Sequence, residues 1–121
     1  MGAPGELAGV VAEPVALATA IQQATLMVPG VVRISPGRGY IEATYGPGTT
    51  VEGVGMGVYH DRLEVSVHVV VGPTGIPALA RRLRGVISTV IRANTGYSAH
   101  TINLYIDDIV LEERLSGDGV V

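Results

Sequence analysis

The sequence lacks four residue types, and each absence narrows the chemistry that the chain can perform. Without cysteine, disulfides and thiolate metal sites are excluded. Without phenylalanine or tryptophan, the five aromatic residues are all tyrosine, so the core must be built mainly from valine, isoleucine, leucine and alanine. Without lysine, the eight basic residues are all arginine, which supplies planar, bidentate donors wherever they cluster.

Positive charge and long apolar runs are also scarce. The net charge of −3 argues against broad binding to nucleic acids or anionic membranes. No apolar run approaches the roughly 20 residues of a membrane span, and the first residues carry no basic region, so we expect neither direct membrane insertion nor a signal peptide. The length of 121 residues suits one domain. We therefore expect a cytoplasmic protein with one domain at residues 7–112, between flexible ends at 1–6 and 113–121.

Hydrophobic spacing predicts an α+β fold. Apolar residues recur at intervals of three and four in two segments, whereas they alternate or form short β-branched runs in others. The predicted elements are a short strand at 7–12, a helix at 14–28, strands at 31–35, 40–45, 51–59 and 63–71, a helix at 76–94 and a last strand at 101–107.

The segment 63–109 defines the predicted topology. Two strands joined by one helix lie parallel if they share a sheet, and the short link at 60–62 predicts an antiparallel hairpin between 51–59 and 63–71. We expect a mixed sheet of about four strands with both helices packed on one face. The other face is expected to be open to solvent or to a partner.

Three parts of the sequence resemble a known family. The alternating strand at 63–71 precedes a helix that opens on Ile76-Pro77 and closes on Thr95-Gly96 before the last strand. The first helix ends in Val28-Pro29-Gly30-Val31. Over most of residues 7–110 the chain resembles the alkaline shock protein (Asp/Gls) family of bacterial envelope-stress proteins.

This resemblance implies a non-enzymatic scaffold protein of cell-envelope homeostasis. Members are expected to be cytoplasmic, to self-associate as oligomers, and to lie near the membrane through a membrane-anchored protein partner. The resemblance carries over no catalytic residue and no cofactor. An alternative that the residues leave open is a module that binds a small anionic ligand or a nucleic acid.

A strand with glycine at every second position is the most unusual local feature. Gly53, Gly55 and Gly57 would leave one strand face bare, which suggests close approach of another backbone, a helix or a ligand. We predict a self-association surface there. The alternative is a bulged strand or close packing inside the same domain.

The second helix carries a cluster of arginines without acidic neighbours. Arg81, Arg84 and Arg92 are spaced to share one helix face, with Arg82 at its edge, and no acidic residue lies between positions 76 and 94. This face could bind an anion or an acidic partner. The alternative is an ordinary solvated face whose arginines pair with acidic residues elsewhere in the fold.

The histidines do not predict an active site. His68 alternates with Glu64 and Ser66 on the polar face of its strand, but no oxyanion loop or nucleophile elbow accompanies them. The chain's three histidines also lack metal-ligand spacing. We expect no enzymatic activity, no metal and no cofactor, and we assign His68 and Tyr105 to a possible interaction surface.

Overall fold

The computed structural model describes residues 13–97 and 100–111, which form two helices and six strands. In chain order they are α1 (Pro14–Leu26), β1 (Val31–Ile34), β2 (Ala43–Gly46), β3 (Thr49–Glu52), β4 (Val54–Tyr59), β5 (Arg62–Val71), α2 (Ile76–Thr95) and β6 (His100–Ile109). The strand predicted at 7–12 and the flexible ends predicted at 1–6 and 113–121 lie outside the described residues.

β5 is the central strand of a four-stranded mixed sheet. It pairs in parallel with β6 along one edge. Along its other edge it pairs antiparallel with β4 through its first half and with β1 through its last residues, so β1 and β4 lie end to end. The predicted α+β class, the mixed sheet of about four strands and the strand–helix–strand unit are confirmed.

A two-residue turn joins β4 to β5. His60 and Asp61 both have positive φ, 52° and 64°. Positive φ at both central residues is the signature of a type I′ turn, whose twist matches that of the paired strands. The predicted hairpin is therefore confirmed, and turn geometry accounts for this His-Asp pair.

The apolar face of β5 carries both helices. Its residues at every second position from Leu63 to Val71 are completely buried, as the predicted alternation requires. The buried residues of α2 recur every fourth position, and with α1 they complete one core cluster: Leu17, Ala18, Ile21, Leu79, Leu83, Ile87 and Ile91. Each helix has proline in its first turn, and α2 ends on Gly96 in the left-handed conformation.

The single strand predicted at 51–59 is wrong. The strand is interrupted at Gly53, which is buried and has a positive φ of 84°. As a result, β3 and β4 belong to different sheets. β3 pairs with β2 in a separate two-stranded hairpin. The apolar positions change phase there, from Val51 to Val54, Met56 and Val58, and this shift is the mark of the interruption in the sequence.

The second face of the sheet is partly covered, whereas the sequence predicts an open face. Residues 35–42, which we call the cover segment, cross this face beside the end of β4. Backbone bonds fix both ends, because Ser35 N donates to His68 O and Gly53 N donates to Glu42 O. His68 N in turn donates to Gly53 O. The backbone of His68 therefore binds both Ser35, at the start of the cover segment, and Gly53, which lies after it.

Candidate functional site

A buried histidine lies between two carboxylates under the cover segment. His68 is 2% exposed, with Nε2 at 2.7 Å from Glu42 Oε1 and Nδ1 at 3.0 Å from Asp107 Oδ2. Ionised carboxylates only accept hydrogen bonds, so the imidazolium is the form that donates to both. We call this arrangement the Glu42–His68–Asp107 triad. The expectation that His68 is a surface residue is wrong.

A β-bulge of β6 lies at Asp107, beside the histidine. The register of β5 with β6 shifts between Val69 and Val70, and Asp107 is the residue that has no partner across the shift. A bulge re-aims side chains that simple alternation would send to opposite faces. Asp107 and Asp108 consequently line the same pocket, although sequence alternation predicts that they point apart.

Gly55 makes room for Glu42. A Cβ built on Gly55 would lie 2.6 Å from Glu42 Cγ and 2.7 Å from Cδ, closer than real Cβ contacts. A side chain on Gly55 would therefore displace the carboxylate that binds His68. The empty space beside this glycine is filled by the chain's own glutamate.

Further residues of the cover segment brace Asp107. Ser35 Oγ donates to Asp107 Oδ2 at 2.8 Å, and Arg38 Nη1 donates to the backbone carbonyl of the same residue at 2.8 Å. Gly37 N donates to Ser35 Oγ at 3.1 Å, which fixes the hydroxyl. The cover segment is thus attached to the bulge of β6 as well as to β5.

Three tyrosines surround the triad on its solvent side. The ring of Tyr105 stacks on His68 with centroids 4.5 Å apart, and Tyr40 meets the same imidazole edge-on at 6.2 Å. Tyr59 completes the group, since it lines a pocket of about 200 Å³ together with Tyr105 and Glu42. We call Tyr40, Tyr59 and Tyr105 the tyrosine face.

The tyrosine face has an acidic environment. Glu64 lines the same pocket and accepts a hydrogen bond from Asn103 Nδ2 at 2.9 Å. Desolvation raises the pKa of the Tyr40 phenol, and the nearby charges of Glu42, Tyr105 and Asp107 raise it further. Both observations indicate a surface that favours cationic over anionic groups.

The triad joins the cover segment and β6 to β5. Both imidazole nitrogens are engaged by carboxylates, and Ser35 directs its hydroxyl at Asp107 rather than at the ring. The two carboxylates approach the ring from different nitrogens and so do not converge on one point. Among the residues that the structure describes, no group of three histidine, cysteine or acidic side chains could hold a metal ion.

The three glycines singled out in the sequence pack against their own chain. Gly53 and Gly55 are buried, and a Cβ on Gly53 would meet Ile34 and the Ser35 carbonyl oxygen. A Cβ on Gly57 would lie 3.0 Å from the ring of Tyr59. The close approach that the pattern suggests thus occurs inside the domain, which leaves Gly53 and Gly55 no bare surface for a second molecule.

The arginines of α2 are exposed. Arg84 Nη1 donates to Ile102 O at 3.2 Å, and Arg92 Nη1 donates to Ser88 Oγ at 2.7 Å. Across residues 13–97 and 100–111, the ion pairs within 4 Å are the two made by His68, so no arginine there pairs with a carboxylate. This arginine face therefore keeps its positive charge available.

Arg81 and Arg82 border a shallow groove on the outer side of α2. Gly85 leaves open space at its centre, and Val86 and Val90 supply apolar lining. Thr89 completes a depression of about 430 Å³. We call it the arginine groove.

Sequence reasoning named His68, Tyr105 and the glycines but missed Glu42, Asp107 and Ser35 as their partners. Glu42 lies 26 residues from His68 and Asp107 lies 39 residues away, so no local spacing connects them. The alternating glycines of β4 are a weak signal of this arrangement. They lie beside the strand that carries His68, and they leave space for a long polar side chain such as that of Glu42.

In comparisons with family models, curated proteins and solved structures, the chain matches none. In the described ranges, neither helix is long and apolar enough to cross a membrane.

Proposed function

We propose that this chain is a non-catalytic binding domain that self-associates and meets a protein partner through the tyrosine face. The observation that carries the proposal is the position of the aromatic residues. Of the five tyrosines in the chain, Tyr59 and Tyr105 line one pocket and Tyr40 contacts the imidazole on which Tyr105 stacks. Their exposed fractions are 59% for Tyr40, 60% for Tyr59 and 41% for Tyr105. Tyrosine offers a large, stiff contact area with a polar end, and interfaces are enriched in it.

The triad supports this proposal by making the face rigid. Tyr105 rests on an imidazole that two carboxylates hold, and Tyr40 belongs to the cover segment that Ser35 and Glu42 anchor. Side chains that are ordered before association lose less conformational entropy when a complex forms. A buried polar network beneath exposed aromatic residues is therefore suited to binding.

The biological setting follows from the sequence resemblance alone. On that basis the proposed role is cell-envelope homeostasis, with the protein placed in the cytoplasm as an oligomeric scaffold and held close to the membrane by a membrane-anchored partner. The contact surface proposed above would serve self-association, partner binding, or both in turn.

Sedimentation velocity across micromolar concentrations tests self-association. The wild-type chain is expected to form oligomers, and Tyr40→Ser combined with Tyr59→Ser is expected to shift it to monomer. Tyr45→Ser is the matched control, because Tyr45 is 68% exposed but lies on the separate β2–β3 hairpin. A wild-type protein that remains monomeric at every concentration would overturn the proposal.

The exposed arginine face favours a second candidate, the binding of a small anionic ligand or a nucleic acid. Arg81, Arg84 and Arg92 have no carboxylate partner in the described part of the chain, so their charge is free to meet phosphates. Binding to a labelled RNA or to inorganic phosphate should then weaken with salt and disappear in Arg84→Ala/Arg92→Ala. The net charge of −3 weighs against this candidate.

A further inference from the structure

The arginine groove and the tyrosine face lie on opposite sides of the domain. The buried stripe of α2 packs on the apolar face of β5, so the outer side of this helix faces away from the sheet. The tyrosine face lies on the other face of the same sheet, where Tyr105 stacks on His68. One domain therefore presents two separate surfaces that cannot contact each other.

The arginine groove is cationic at its border and apolar inside. Arg81 and Arg82 are exposed, while Val86 and Val90 are half-buried and line the depression. Gly85 has no atom within 4 Å of the place where a Cβ would stand, so a ring from another molecule can approach the helix backbone. Such a groove suits an aromatic side chain that is accompanied by negative charge.

The tyrosine face offers aromatic rings that are accompanied by negative charge. Tyr59 and Tyr105 project beside Glu42 and Glu64 around a pocket of about 200 Å³. Guanidinium groups stack on tyrosine rings and pair with carboxylates, and this combination recurs at protein interfaces. In charge and in aromatic character the two surfaces therefore complement each other.

We propose that the occupant of the tyrosine face is the arginine groove of a second copy of this chain. This inference rests on the proposed function, because it specifies how self-association occurs. A contact between two different surfaces is heterologous, and it repeats from one copy to the next until a ring closes or a filament grows. The assembly is therefore expected to extend beyond a dimer.

The charged part of this contact makes it sensitive to salt. The pairs at the border of the groove are exposed before association, and screening shortens from about 10 Å at 0.1 M to about 3 Å at 1 M ionic strength. We expect self-association to weaken at least tenfold over that range. An interface formed only by apolar side chains would be strengthened or unchanged.

Two variants that are each defective on one surface provide the decisive experiment. Arg81→Glu/Arg82→Glu disables the groove but keeps the tyrosine face, whereas Tyr59→Arg disables the tyrosine face but keeps the groove. Each protein alone is expected to be monomeric, with self-association weakened at least tenfold by like-charge contacts. Mixed in equal amounts, they are expected to form a dimer that grows no further, because only one intact pair of surfaces remains.

Native mass spectrometry distinguishes the outcomes. If Arg81→Glu/Arg82→Glu assembles as well as the wild type while Tyr59→Arg does not, self-association stands but the groove is not the occupant. A mixture that stays monomeric likewise excludes the groove as the occupant. If the wild type itself is monomeric, the proposed function fails and the further inference fails with it.

Matched controls separate surface chemistry from net charge and folding. Arg33→Glu/Arg84→Glu changes the net charge by the same amount at two exposed arginines that line neither the groove nor the tyrosine face, and it should assemble like the wild type. Tyr45→Arg is the control for the substitution on the tyrosine face. Far-UV circular dichroism and thermal midpoints within a few degrees of wild type confirm that each variant is folded.

Discussion

Replacing His68 with alanine should remove a large part of the stability of this domain. The imidazole makes two hydrogen bonds to carboxylates, of 2.7 Å and 3.0 Å, and bonds of this charged kind contribute about 1.5–3 kcal/mol each. Glu42 is 26% exposed at its side chain and can turn toward water, so its share is smaller. Asp107 is 10% exposed and would retain Ser35 as a side-chain donor.

The expected loss is about 3–4 kcal/mol. This agrees with the 3–5 kcal/mol found when one partner of a buried ion pair is removed, after a reduction for the partly exposed glutamate. Because the whole free energy of unfolding of such a domain is about 5–15 kcal/mol, the variant should remain folded but be clearly weakened. Urea unfolding followed by far-UV circular dichroism measures the difference, and this probe suits a chain without tryptophan.

A control variant and a double-mutant cycle show whether the loss of stability is specific to the triad. Ser66→Ala, at a half-buried position on the same strand face, should change stability by less than about 0.5 kcal/mol. His68→Ala combined with Glu42→Ala should show a coupling of at least about 1 kcal/mol. Trypsin should also cleave after Arg38 faster in His68→Ala, because the cover segment loses an anchor. A loss below about 1 kcal/mol, without coupling, would refute this account of the triad.

Three smaller perturbations test other parts of the structure. Gly53→Ala should lower the free energy of unfolding by at least about 2 kcal/mol, because Gly53 has a φ of 84° and its Cβ would meet the Ser35 carbonyl oxygen. Gly85→Ala should instead raise it by about 0.5–1 kcal/mol, because alanine favours the helix at this open position of α2. Equal effects of the two substitutions in urea unfolding would contradict both predictions. Glu42→Gln should lower the pKa of Tyr40 toward its ordinary value by removing a negative charge, measured as the difference between ultraviolet titrations with and without Tyr40→Phe; an unchanged value would contradict the assigned charge. His60→Asn/Asp61→Gly should raise stability by up to about 1 kcal/mol, because Asn-Gly adopts the type I′ turn with less strain; a decrease would show that these side chains stabilise the hairpin.

The regular elements could be predicted from the sequence because their signals are local. The alternation from Leu63 to Val71 and the fourfold spacing of the buried residues in α2 fix their faces, and both agree with the structure. The turn at His60-Asp61 follows from its length between two alternating segments. These features need no knowledge of distant residues.

The triad could not be predicted, because its members come from distant parts of the chain. Alternation along β6 places Asp107 on the same face as Tyr105, which pairs with His68, but the bulge at Asp107 has no local signal. Glu42 reaches His68 through the path of the cover segment, which no hydrophobic spacing describes. Burial of His68 depends on that segment, so strand alternation alone places this residue at the surface.

The end-to-end arrangement of β1 and β4 makes the intervening chain an insertion within one edge of the sheet. The polypeptide leaves the edge of β5 after Ile34 and returns at Val54, opposite nearly adjacent residues of the same strand. The insertion at 35–53 nevertheless contributes to the core, because Val51 belongs to the buried cluster and Glu42 holds His68. A replacement at that junction would therefore have to supply an apolar side chain for α1 and a carboxylate for the imidazole before it could give the scaffold a different binding specificity.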